Sequence, residues 1–136
     1  MIHFLTTEEV CAIQARTLPS APSSDIGKVD AIVKGVELTV FYLNLNAEGD
    51  MMSTFHMAAL YLINIARGHA FPDANKRTAY QSAMVFLELN EILFKKDLDL
   101  IDLTVLAATS GIEAKELGRK LFEIHFVGAV MERLSD

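Results

Sequence analysis

The chain is 136 residues long, with 51% hydrophobic and 22% charged residues and a net charge of −6 from twelve Lys+Arg against eighteen Asp+Glu. That length suits a single domain over 1–136, and the low proline and glycine content excludes a disordered or fibrous chain. The acidic balance excludes the basic footprint of a general nucleic-acid binder, and a lone cysteine, Cys11, excludes an internal disulfide or a cysteine-held zinc.

Taken in chain order, Thr6-Thr-Glu-Glu9 has the pattern of a capping box and predicts a short helix from Thr7 to about Arg16. Leu18 to Asp25, with two prolines and three serines, reads as a loop. From Lys28, the residues Val29, Ile32, Val33, Val36, Val40 and Leu43 recur at helical spacing, with Gly35 a weak spot. Asn44 to Asp50 breaks the pattern. Met51 to Arg67 is apolar nearly all round, as expected of the buried centre of a helical bundle, and Gly68 closes it. Another helix is predicted from Asn75 to about Asn90, with Ala79, Ala83, Phe86 and Leu87 on one stripe. Ile92–Phe94 reads as a short extended piece able to pair with Ile2–Phe4. Leu98–Thr109 and Glu113–Leu134 are the last two helices, the latter with Leu117, Leu121, Ile124, Gly128 and Met131 in line. The expectation is an all-α fold of about six helices, with at most a minor strand pair.

No basic run leads into an apolar core at the start, so a secretory leader is not expected. The longest apolar stretch, Met57–Ala66, holds Asn64 and is too short for about 30 Å of hydrocarbon. A reducing, cytoplasmic setting is the expectation. Mean hydropathy is +0.29, an apolar excess that suits either a large helical core or a groove that docks a partner.

The chemistry concentrates in Ala66-Arg-Gly-His-Ala-Phe-Pro-Asp-Ala-Asn-Lys-Arg-Thr78: a buried helix, a tight loop, then a helix N-terminus. Backbone N–H groups and the helix dipole attract anions there. Lys76 and Arg77 in a first turn run against the usual preference for acidic residues, unless an anion such as a di- or triphosphate neutralises them. Asp73 is the one carboxylate in the loop, the type of ligand Mg²⁺ takes beside phosphate oxygens. His69 titrates near neutrality and suits a general base. Base, carboxylate and phosphate clamp within nine residues are the parts of phosphoryl or nucleotidyl transfer.

His69-Ala-Phe-Pro-Asp-Ala-Asn-Lys-Arg77 resembles the signature of the Fic/Doc family, whose Fic form reads H-P-F-x-[DE]-G-N-G-R. Ala74 and Lys76 in place of two glycines are similar to its Doc (death-on-curing) branch, the toxin of a toxin–antitoxin pair. The Ala-Arg-Gly lead-in and Asp102–Thr109 also look Doc-like, so the resemblance spans roughly residues 50–125 and covers the first fifty much less. It implies that His69 deprotonates a target hydroxyl, Asp73 holds Mg²⁺, Asn75 and Arg77 grip phosphate oxygens, and Phe71 pins the loop. Lysine at position 76 implies transfer of the γ-phosphate of ATP, where glycine there goes with AMP transfer. The implied function is a protein kinase that phosphorylates a threonine of elongation factor Tu, arresting translation and growth. The implied partner is a Phd-like antitoxin whose tail folds into an apolar groove. AMP transfer, or a catalytically quiet antitoxin-binding module, are the alternatives.

Several features depart from the family pattern or stand outside it. The self-inhibitory pattern [S/T]-x-x-x-E-[G/N] has no match, since Ala114 follows Glu113 and Asn44 precedes Glu48-Gly49. Pro72 stiffens the loop, Gln81 stands where relatives carry asparagine, and 18–28 lacks a Gly- and Arg-rich stretch. His3, His56 and His125 have no metal-ligand spacing and read as structural. Asp97, Asp99 and Asp102 read as helix capping, Cys11 as a small buried hydrophobe, and the six methionines as core filler.

Overall fold

The computed structural model describes residues 1–19, 25–45, 50–68, 75–94 and 100–135, with side chains of the last segment from 103 onward. Six helices account for most of them: α1 (Thr7–Thr17), α2 (Ile26–Leu43), α3 (Met51–Gly68), α4 (Asn75–Leu89), α5 (Leu100–Thr109) and α6 (Ala114–Leu134). The fold is all-α.

Caps set several of the boundaries. Thr6 Oγ1 accepts from the Glu9 N–H at 3.1 Å while Glu9 Oε1 accepts from the Thr6 N–H at 2.8 Å, a complete capping box. Helix α2 begins two residues earlier than its apolar spacing predicts. Asp25 accepts from the Lys28 N–H and so draws Ile26 and Gly27 into the first turn. Asn44, at φ 54°, ends α2 in the left-handed conformation that asparagine tolerates. Asp50 opens α3 by accepting from the Met52 N–H and the Ser53 hydroxyl.

Helix α3 is the axis of the molecule, flanked by α2, α4, α5 and α6. Eleven of its residues are buried; Asn64 faces solvent and turns its amide back to the Leu60 carbonyl at 2.7 Å. The all-round apolar sequence therefore has the position it requires. Tyr61, fully buried, contacts the Phe86 ring at 5.0 Å, and its hydroxyl accepts the Leu5 N–H at 3.0 Å. The extended N-terminal segment is thereby tied to the middle of α3. Burial holds the Tyr61 phenol above its ordinary range.

Ile2–Phe4 and Ile92–Phe94 do not form strands. Asn90 takes the partner's place: its Oδ1 accepts from the His3 N–H at 2.8 Å and its Nδ2 donates to the His3 carbonyl at 3.0 Å. One amide side chain thus satisfies both backbone groups that a strand partner would have satisfied, so no ladder is needed. Glu91 at φ 67° then turns the chain out of α4.

Helices α3 and α6 pass close together at Gly118, where an added Cβ would lie 2.8 Å from the His56 Cα and 3.0 Å from the Phe55 carbonyl oxygen. Gly118 lies on the buried side of α6 with Leu117 and Leu121. The expected stripe is buried only in this first half. Ile124 and Gly128 are half-buried and Met131 is exposed, because Phe122 and His125 already meet Phe55, one turn from the start of α3. Beyond that point α6 has outrun its neighbour.

Candidate active site: a cationic helix start between two clefts

His69, Phe71, Pro72, Asp73 and Ala74 lie outside the described residues, so the base, metal and anchor roles expected of this loop receive no geometry. Asp97 and Asp99 also lie outside them. The two ends that hold the loop are described. Upstream, Arg67 in the last turn of α3 reaches across to the end of α5. Its Nε donates to the Ala107 carbonyl and Nη2 to the Ser110 carbonyl, both at 2.6 Å, with Ile112 O a further 3.3 Å contact of Nη2. A fixed guanidinium fork thus neutralises the carbonyl end of α5. A basic residue one position before a terminal glycine was the visible signal; its partners forty residues on were not. A Cβ at Gly68 would meet the end of the Ile32 side chain of α2, which would have to shift to admit it.

Downstream, α4 starts at Asn75 as its sequence predicts. Asn75 is half-buried, Lys76 and Arg77 are exposed, and Thr78 and Ala79 go straight into the core. The helix therefore presents its N-terminal amides and two cations to one side while Ala79, Ala83, Phe86 and Leu87 anchor the other. No acidic residue lies in this first turn.

The two cations border concave surface. A small cleft of about 120 Å³ between α4 and α5 is lined by Lys76, Arg77, Tyr80, Thr104 and Val105. Engineered cavities only slightly larger admit one aromatic ring. Tyr80, half-buried on this wall, has its phenol raised above the ordinary range by burial. On the other side of α4, a groove of about 490 Å³ runs along α1, lined by Ile13, Arg16, Thr17, Arg77, Gln81 and Val85. Arg77 belongs to both. Sequence reasoning did not foresee Tyr80 or Arg16, because nothing local pairs α4 with α1 and α5.

His56 and His125 keep structural places, while His3 is exposed and bonds Asn90 through its backbone. His125 stacks on Phe94 at 5.8 Å and packs on Phe55 at 5.5 Å. Burial, with Lys115 nearby, lowers the pKa of half-buried His56. Cys11 is half-buried against the core. Among the described residues, no group of three or more His, Cys, Asp or Glu could hold a metal, and no helix is long and apolar enough to cross a membrane.

A helical domain with six residues between a buried central helix and a cationic helix start is the arrangement expected of the Fic/Doc class. The model of the Fic/DOC family matches residues 4–87, and the chain belongs to that family. The match takes in the first fifty residues, where the motif-based resemblance was thin, and stops before Asp102–Thr109. Similar proteins include "Protein kinase doc" of Escherichia phage P1, 38% identical over 102 residues, 75% of this chain and 76% of that protein. "Toxin Doc" of Mycolicibacterium smegmatis is 34% identical over 76 residues, 56% of this chain and 55% of that protein.

Proposed function

We propose that the chain is the toxin of a toxin–antitoxin pair and acts as a Mg²⁺- and ATP-dependent protein kinase on a threonine hydroxyl, with elongation factor Tu as target. The observation that carries this reading is the exposed pair Lys76–Arg77 on the first turn of α4, beside a cleft of ring size. Helix amides and two cations together favour a polyphosphate over a single carboxylate. The relative named as a protein kinase supports phosphoryl rather than nucleotidyl transfer.

In this reading Asn75, Lys76 and Arg77 hold the phosphate oxygens. Lys76 acts as a point charge and Arg77 as a planar fork. His69 takes the proton of the threonine hydroxyl as its oxygen bonds to the γ-phosphorus; the bond to the β–γ bridging oxygen breaks and ADP leaves. Asp73 supplies the carboxylate for Mg²⁺, which when bound offsets phosphate charge. Arrest of translation and growth would follow from modification of the factor in the cytoplasm.

The antitoxin is assigned to the groove between α1 and α4. Ile13 and Val85 ask for apolar side chains, and Arg16 and Arg77 for acidic ones, so a Phd-like segment with both fits.

The test uses the purified chain, Mg²⁺, elongation factor Tu, and ATP labelled at either the α- or the γ-phosphate, with a His69→Ala control. The kinase reading expects label from the γ-position alone, lost in the variant. Label from the α-position would replace it with AMP transfer. No label from either, in a chain that binds an acidic-apolar antitoxin segment, would leave a binding module.

A further inference from the structure

A layer of polar side chains lies beneath the groove between α1 and α4. Three buried side-chain atoms among the described residues have no hydrogen-bond partner: Gln14 Nε2, Thr78 Oγ1 and Ser82 Oγ. Gln14 is 4% exposed, and Thr78 and Ser82 are fully buried. Each stands one residue on from a side chain that lines the groove: Gln14 after Ile13, Thr78 after Arg77 and Ser82 after Gln81. The two helices run antiparallel. Asn90 at the end of α4 meets His3 ahead of α1, while Thr17 and Arg77 share the groove at the other end. In an antiparallel pair the step of about 100° to the next residue turns inward on both helices. Gln14 from α1, and Thr78 and Ser82 from α4, therefore converge on the inner side of the groove. Thr78 and Ser82, four residues apart, share one face of α4.

We propose that this layer is the binding site of one structural water molecule, bonded to all three groups. Elsewhere in the chain, helical hydroxyls turn back to the carbonyl four residues earlier: Thr17 to Ile13, Thr39 to Gly35, Thr109 to Val105 and Ser110 to Leu106. Thr78 and Ser82 depart from that habit, although burial makes a partner more necessary for them than for exposed hydroxyls. Their oxygens are aimed at something other than their own helix. The Gln14 amide nitrogen only donates, and each hydroxyl both donates and accepts. A water that accepts from Gln14 and donates to Thr78 and Ser82 makes three hydrogen bonds, the usual number for a buried water. It answers every member of the set, whereas a direct bond between two of them leaves the third alone. A cation is excluded by the same inventory, because an amide N–H faces the site and no carboxylate belongs to it. The bridge ties α1 to the first two turns of α4, directly behind Arg77. It does not depend on what occupies either cleft, and so stands apart from the kinase reading.

A crystal structure of the full chain, at a resolution that shows ordered solvent, tests this without any substitution. The expected result is one solvent peak within about 3.2 Å of Gln14 Nε2, Thr78 Oγ1 and Ser82 Oγ together. Urea unfolding of Gln14→Met, Ser82→Ala and the double variant gives a second readout. Each single change should lower the midpoint. The double variant should lower it by less than the sum of the two, because both groups share one bridging molecule. A layer without such a peak, or a peak that fails to reach all three atoms, overturns the proposal. So do hydroxyls found turned back to carbonyls of their own helix, or midpoint losses that simply add.

Discussion

At position 118 the crossing of α3 and α6 leaves no room for a methyl group. The atoms a Cβ would meet are the Cα and N of His56 and the carbonyl oxygen of Phe55, all backbone, so no side chain can swing aside. Alanine would gain about 1 kcal/mol of helix propensity. Overpacking against rigid neighbours costs up to about 3 kcal/mol, so Gly118→Ala should lose about 2 kcal/mol net. Urea unfolding followed by circular dichroism would measure it. A stable Gly118→Ala would mean that α6 can slide along α3. Nothing in the sequence singled out this glycine, because its requirement is set by the backbone of a helix some sixty residues earlier. By contrast, the capping box at Thr6–Glu9 was legible, since both partners lie within three residues of each other.

Among the elements, the end of α5 depends on a side chain from α3. Arg67 satisfies carbonyls at Ala107, Ser110 and Ile112, and its removal leaves part of a helix C-terminus without donors. Arg67→Leu should cost about 1.5–3 kcal/mol, the range for hydrogen bonds to a charged group. Arg67→Lys should recover only part of it, because an ammonium cannot span the same fork. Thermal melts of the two variants, compared with the parent chain, check the order. The helices themselves were legible because each buries a stripe or, for α3, most of its circumference, at the period of a helix. Where reading failed, tertiary context had substituted one partner for another. The apolar run at Ile92–Phe94 suggested a strand, yet Asn90 supplied the hydrogen bonds. The stripe of α6 continued past Leu121, yet α3 had ended. The candidate site was legible in residue type at Asn75, Lys76 and Arg77, but the walls around them come from α1 and α5, which no local spacing ties to α4.

For the molecule as a whole, stability should depend on pH through His56. Burial first, and the charge of Lys115 second, lower its pKa from the usual 6.5, so the folded state prefers the neutral ring. The unfolded chain then binds more protons through the window just below that value, and stability falls as pH falls through it. The contribution is complete above about pH 6.5 and lost once the folded-state ring has also protonated. Chemical denaturation midpoints between neutral and mildly acidic pH should fall in the parent chain and vary less in His56→Gln. An equal slope in both would assign the pH dependence to other groups.

Arg77 faces two ways, into the cleft beside Lys76 and into the groove along α1. A single guanidinium has one set of donors, so an occupant on one side claims what an occupant on the other would use. Under the proposed function, where both occupants are anionic, the two ligand equilibria are expected to be linked with negative sign. By reciprocity, the factor by which nucleotide weakens a groove-bound segment equals the factor by which that segment weakens nucleotide. Titrating each in the presence and absence of the other should return one coupling constant, and Arg77→Ala should bring it toward unity. Inhibition in such a molecule would need no change of shape, only competition for one side chain.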